Sequence, residues 1–191
     1  PIIDELVGDK RRIVLLGKSD LADSEETEKW QRYFSRKGDK TLAIDARSGE
    51  NINRLFSILD DVQREKNQQR QMNRSIRMMV VGVPNVGKSS LINRLIGKKS
   101  AKTGDKAGVT RGKQWVTLKN GMQLLDTPGI LWPKFEDQRV GLYLAFCGSI
   151  RDEILDTQDL AFELIKVLEK RYPESLLNRY KLDEIQHHLN I

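Results

Sequence analysis

Gly82-Val83-Pro84-Asn85-Val86-Gly87-Lys88-Ser89 matches the pattern G-x-x-x-x-G-K-[ST] at every fixed position, and its surroundings decide the fold. Upstream, residues 76–81 (Ile-Arg-Met-Met-Val-Val) read as a strand, and residues 88–96 downstream read as an amphipathic helix. A phosphate-binding loop requires this strand–loop–helix order. Its glycines let the backbone curl so that amide groups converge on phosphate oxygens, and the helix presents its positive end to the same anion. Asn85, Val86, Gly87, Lys88, Ser89 and Ser90 are the residues expected to line the phosphates. Lys88 brings a charge to the β- and γ-phosphates, and the Ser89 hydroxyl can ligate Mg²⁺.

Working outward, short apolar runs at 13–16 and 41–44 read as strands buried on both faces. Residues 2–8 have helical spacing with Gly8 as the stop, and a helix from Ser24, its expected cap, to Arg36 carries Thr27, Trp30, Tyr33 and Phe34 along one side. A long helix from Ile52 runs into a polar connector over 64–74, and Lys119-Asn120-Gly121 turns a hairpin between strands 115–118 and 122–125. Residues 98–113 lack periodicity and are expected to form a mobile loop. Helices are expected over 137–149, 157–171 and 174–189, the last two separated by Pro173. The alternation of strands and helices predicts an α/β fold, a mostly parallel sheet covered by helices on both faces, with a C-terminal helical domain.

Composition agrees with a folded, non-membrane chain. Of 191 residues, 38% are hydrophobic and 31% charged, and no apolar run approaches the roughly 20 residues of a membrane span. A lone cysteine, Cys147, excludes an internal disulfide, is expected on a buried helix face, and points to a reducing, cytoplasmic setting. His187 and His188 are expected to lie on the surface, with no metal site. The net charge of +6 favours polyanionic partners such as RNA, although many basic proteins bind none.

Asp126-Thr127-Pro128-Gly129 ends a predicted strand downstream of the loop. There a carboxylate can hold magnesium through water, and the Gly129 amide can meet a γ-phosphate. D-x-x-G alone is common and usually only a turn, so its weight comes from the pairing with residues 82–89. The base is suggested upstream. Lys18-Ser19-Asp20 resembles the guanine motif N-K-x-D, in which the carboxylate accepts from the base N1 and N2 donors that adenine lacks. Asp45-Ala46-Arg47 resembles the S-A-K motif, whose backbone amide meets guanine O6. Thr110 in Gly108-Val109-Thr110 can close onto Mg²⁺ and the γ-phosphate.

In this order, with base motifs first, then phosphate loop, switch threonine and D-x-x-G, the chain resembles the circularly permuted GTPases of the YlqF type (ribosome biogenesis GTPase A). The residues that carry the resemblance are 82–90, 108–112 (Gly-Val-Thr-Arg-Gly) and 126–133 (Asp-Thr-Pro-Gly-Ile-Leu-Trp-Pro). The resemblance covers essentially the whole chain. It implies a Ras-like P-loop GTPase domain over 1–133 and a helical domain over 134–191. It also implies GTP hydrolysis, with GTP, GDP and Mg²⁺ as ligands, coupled to late assembly of the large ribosomal subunit, with rRNA as partner. Lys88, Thr110 and Gly129 would serve the chemistry, Lys18, Asp20, Ala46 and Arg47 the base, and Ser89, Thr110 and Asp126 the metal. A monomer with no membrane association is expected.

Several residues depart from the pattern. Gly17 stands where the guanine motif has Asn, a side chain that bonds the base and ties neighbouring loops, so looser guanine binding is expected. Asp45 replaces the usual Ser. Ile130 follows Gly129 where Ras-like proteins place a water-orienting glutamine, which predicts slow intrinsic hydrolysis, and the resemblance implies stimulation by the ribosomal particle. Asn85 resembles the K⁺-coordinating asparagine of potassium-activated GTPases, or equally stabilises its own turn. The basic loop carrying Lys98, Lys99, Lys102, Lys106, Arg111 and Lys113 is either a solvated segment or an rRNA-contacting switch. The conventional topology calls for one more strand beside the phosphate-loop strand, so upstream sequence is expected, and the helical domain is expected to be incomplete. The competing readings are a P-loop kinase or ATPase with an adenine pocket, and a GTP-bound RNA-binding scaffold that does not hydrolyse.

Overall fold

The computed structural model describes residues 7–8, 10–70, 75–97, 114–118, 120–129, 131, 137–150 and 156–183. The expected helix 2–8, the loop 98–113 with Thr110 and its six basic residues, Ile130, and the last residues, His187 and His188 among them, lie largely or wholly outside these. The chain divides into two compact units, Pro1–Leu131 and Trp132–Ile191.

In the first unit, β1 (Ile13–Gly17) pairs in parallel with β2 (Lys40–Ile44), joined through α1 (Ser24–Arg36). Arg12 grips Asp39 with two hydrogen bonds, 2.8 and 2.5 Å, and so fastens the start of β1 to the start of β2. β3 (Arg77–Val80) pairs in parallel with β5 (Gln123–Asp126), which pairs antiparallel with β4 (Gln114–Thr117). The hairpin closes as expected, the Leu118 amide donating to the Met122 carbonyl at 2.8 Å and the Gly121 amide to the Leu118 carbonyl at 3.0 Å.

Among the described residues the strands form two ladders, and β1 and β3 share none. This explains why β1 is only half-buried over Ile13–Leu16, where its sequence predicts burial on both faces. With one ladder partner among the described residues, it is left partly open to solvent. The core joins both sheets through α2 (Ile52–Arg70) and α3 (Lys88–Ile96). Ile52, Leu55, Leu59 and Val62 recur at three- and four-residue steps, so one face of α2 is buried beside Leu42 and Ile44 of β2. Leu91, Ile92 and Leu95 do the same on α3 beside Leu124 of β5, with Ile92 fully enclosed. Burying each such side chain stabilises the fold by about 1.5–3 kcal/mol. The core thereby fixes the helix that follows the phosphate loop.

The second unit contains α4 (Gln138–Phe146), α5 (Thr157–Arg171) and α6 (Pro173–Tyr180), opened by Asp137, Asp156 and the Pro173 ring respectively. Three expectations need correction. Cys147 is exposed rather than buried, because α4 has already ended at Phe146 and the residue it buries is Ala145. α6 stops at Tyr180, where Lys181 turns left-handed (φ 55°) and breaks the helical path. Finally, α1 is capped by Asp23 and not Ser24, its carboxylate accepting from the Glu25 and Glu26 amides.

Candidate functional site

The candidate site lies at the carboxyl ends of the parallel strands. Beyond β3 the chain turns through Pro84 and Asn85 into α3. Gly87, at the helix N-cap, has φ 97°, a conformation that side-chain-bearing residues seldom adopt, which is why the pattern requires glycine there. Among the described residues no side chain caps this helix, and a helix N-terminus is a place where backbone amides can meet an anion. Asn85 has φ 59°, a conformation asparagine tolerates better than most residues. That conformation suffices to account for an asparagine at this position.

Lys88 is buried within the curl of the loop, its Nζ donating to the carbonyls of Gly82 at 3.0 Å and Val83 at 2.8 Å. Asp126 ends β5 directly beside Val80 in the ladder and is 2% exposed. Its neighbour Thr127 donates its hydroxyl to the Val80 carbonyl at 2.6 Å, which locks the D-x-x-G turn to the strand leading into the loop. Gly129 then lies flat on Pro84: a Cβ there would come within 2.5 Å of the Pro84 Cα.

Electrostatics mark the Lys88–Asp126 pair. Burial pushes the Asp126 carboxyl above its ordinary range, against the pull of the Lys88 charge and a backbone hydrogen bond at Thr127. Burial likewise lowers the Lys88 ammonium, and Asp126 partly offsets the effect. Asp126 Oδ1 is buried with no hydrogen-bond partner among the described residues. Such an oxygen next to a buried ammonium suits a hydrated cation and polyphosphate. Among the described residues no cluster of three His, Cys, Asp or Glu could hold a metal. A carboxylate and a serine hydroxyl at a phosphate site suit Mg²⁺, which keeps most of its waters and takes the remainder of its shell from phosphate oxygens.

The residues expected to read the base sit at the ends of β1 and β2. Lys18 is left-handed (φ 58°) and opens a 3₁₀ turn, Ser19–Leu21, which carries Asp20 exposed. The Ser19 hydroxyl is buried without a hydrogen-bond partner among the described residues. At Gly17, a Cβ would lie 2.9 Å from the Val86 carbonyl oxygen, so the end of β1 abuts the phosphate loop backbone to backbone. After β2, the Asp45 carboxylate accepts from the amides of Arg47 at 2.7 Å and Ser48 at 2.9 Å, and a side-chain hydrogen bond with Ser48, together with these backbone bonds, holds its pKa below the ordinary carboxylate value. Ala46 is therefore held in a fixed turn. The structure thus brings Lys18, Asp20, Ala46 and Arg47 to the same strand ends as residues 82–90, Asp126 and Gly129.

Sequence reasoning missed Arg94 on α3, whose Nε donates to the Ala46 carbonyl at 3.1 Å and whose second guanidinium nitrogen donates to the Arg47 carbonyl. No local pattern marks a contact spanning that much chain. An open hollow along α2, lined by Asp60, Gln63, Arg64 and Asn67, includes none of the site residues.

Comparison with known proteins bears on this arrangement. Residues 77–188 match the family model described as 50S ribosome-binding GTPase. Ribosome biogenesis GTPase A of Priestia megaterium (strain DSM 319 / IMG 1521) is 49% identical over 190 residues, covering 97% of this chain and 66% of that protein. Among solved structures, the GNP-bound YlqF from T. maritima aligns with a TM-score of 0.55 at 27% identity, over 89% of this chain and 67% of that one. The GDP-bound structure of TM YlqF aligns with the same TM-score at 30% identity, over 83% and 59%. The chain thus spans about two thirds of the curated relative's length.

Proposed function

This chain belongs to the 50S ribosome-binding GTPase family, and on that premise we propose that it binds and hydrolyses GTP as a switch in late assembly of the large ribosomal subunit. The observation that carries the reading is the burial of two opposite charges, Lys88 and Asp126, with Asp126 Oδ1 lacking a hydrogen-bond partner among the described residues, beside the N-terminus of α3. Such a pair is costly until a cation and a polyphosphate complete it.

In this reading the curl at 82–90 receives the phosphates, and Lys88 with the first amides of α3 stabilises charge as water attacks the γ-phosphate in line. Mg²⁺ would be held by Ser89, by Thr110 and through water by Asp126, and when bound it neutralises charge on the β- and γ-oxygens. The Gly129 amide meets the γ-phosphate, so release of phosphate loosens the D-x-x-G turn from Pro84. Asp20 and Ala46 select guanine, with Lys18 and Arg47 flanking the base. With Ile130 after Gly129, that position offers no water-orienting glutamine, so intrinsic turnover is slow and the ribosomal particle supplies the stimulus. K⁺ at Asn85, rRNA contact through the basic loop, a cytoplasmic location and a monomeric state complete the proposal. None of the described helices is long and apolar enough to cross a membrane.

Hydrolysis measured with and without large ribosomal subunits, in potassium and in sodium, tests the reading. Stimulation by subunits is expected, and stimulation by potassium if Asn85 holds the ion. Absence of hydrolysis under every condition would leave the GTP-bound scaffold, and preference for ATP over GTP in a titration would refute guanine recognition.

A further inference from the structure

We propose that Arg94 and Asp45 form a two-sided clamp that orients Ala46 for recognition of the purine O6 position and ties that recognition to the phosphate-loop helix. The inference rests on the guanine reading above and assigns roles beyond its motifs.

Two successive peptide units follow Ala46, and each is held at both ends. In the first, the Arg47 amide donates to Asp45 Oδ1 at 2.7 Å while the Ala46 carbonyl accepts from Arg94 Nε at 3.1 Å. In the second, the Ser48 amide donates to Asp45 Oδ2 at 2.9 Å while the Arg47 carbonyl accepts from the other arm of the Arg94 guanidinium. A planar fork of donors suits two neighbouring carbonyls, and a carboxylate suits two neighbouring amides. Gly49 completes the seat. Its Cα faces the guanidinium so closely that a Cβ would lie 2.9 Å from Arg94 Nη2, and its φ of 94° further favours glycine.

Both departures from the usual guanine motifs fit this arrangement. A serine hydroxyl at position 45 would offer one oxygen where the carboxylate offers two. Gly17 carries no side chain to tie the base loops to the phosphate loop, and Arg94, anchored on α3, makes such a tie from the other side. Arg94 is thus a positioning residue that acts through the Ala46 backbone.

The test compares GDP, inosine diphosphate and 2-aminopurine riboside diphosphate in binding titrations. The first two carry O6 and the N1 proton, and the third keeps the 2-amino group but lacks both, so its wild-type deficit includes a fixed N1 contribution through Asp20 and the change in the ratio on mutating Arg94 reads the O6 part. Wild-type protein is expected to favour GDP over the 2-aminopurine nucleotide. In Arg94→Ala that preference falls about tenfold, while the GDP-to-inosine ratio, which reports Asp20, stays unchanged. Arg94→Lys, which keeps the charge but not the fork, falls partway and carries the same test should Arg94→Ala fold poorly. An unchanged GDP-to-2-aminopurine ratio in both variants overturns the clamp, as does a uniform loss for all three nucleotides, which marks a merely structural residue. Equal wild-type affinity for GDP and ADP would instead overturn the guanine reading, and the clamp with it.

Discussion

Replacing Gly129 with alanine probes the seam between the D-x-x-G turn and the phosphate loop. The new Cβ would lie 2.5 Å from Pro84 Cα, 2.6 Å from its nitrogen and 2.9 Å from its Cγ. The closest of these is about 0.9 Å inside the 3.4 Å at which ordinary contact begins. Two of the three atoms are backbone, so no rotamer change relieves them and one segment must move. Overpacking of this kind costs about 1–3 kcal/mol, whereas the stiffer unfolded chain returns about 0.4–1 kcal/mol. A net loss of roughly 1–2 kcal/mol follows, or about 2–8 °C in melting temperature for a chain of this size. Calorimetry of the nucleotide-free protein reads it directly. Gly82→Ala is the control, because its Cβ would meet side-chain atoms alone among the described residues, the movable Val86 Cγ2 at 3.2 Å and Lys88 Cδ at 3.8 Å, and a smaller shift is expected. Adding Pro84→Ala relieves the Cγ contact but neither backbone one, so the double variant should remain destabilised. A Gly129→Ala protein that melts within about 1 °C of wild type, or above it, would refute the contact and the coupling built on it.

Other substitutions read other parts of the site. Lys88→Met removes a charged donor from the phosphates and from the Gly82 and Val83 carbonyls, so nucleotide affinity should fall about 10- to 100-fold in a titration. Asp126 titrates above its ordinary value of 3.8, so the folded protein holds a proton that the unfolded chain has released, and stability falls as pH rises through that window. Asp126→Asn should flatten this acid-side slope in denaturant titrations of the nucleotide-free form; an unchanged slope would show that other groups produce it. Ile92→Ala, at the fully enclosed centre of α3, should cost about 2–5 kcal/mol in chemical denaturation, more than any exposed substitution on that helix.

What was legible in the sequence was whatever local chemistry dictates. Gly87 and Lys88 could be placed because the loop's conformation and charge admit few residues, and Asn120-Gly121 because a tight hairpin turn does the same. Long-range geometry was not legible. Arg94 reads as an ordinary basic residue near a helix end, and only folding brings it against Ala46 and Arg47. Asp45 looked like a departure from a motif, yet its carboxylate fixes the turn that follows Ala46. The end of α6 at Lys181 rests on one backbone angle that the helical pattern beyond it conceals. Alternating elements predict strands and helices but say nothing of which strand edges meet, and among the described residues β1 and β3 do not.

The two carbonyls that hold Lys88 have a thermodynamic consequence. An ammonium has three protons to donate, and the Gly82 and Val83 carbonyls accept two of them within the chain itself. The side chain has therefore surrendered most of its rotational freedom at the folding step, where the core supplies the driving force, and little is left to lose on binding. Phosphate capture at this loop should thus show a small entropic penalty, its heat arising mainly from the third proton and the backbone amides.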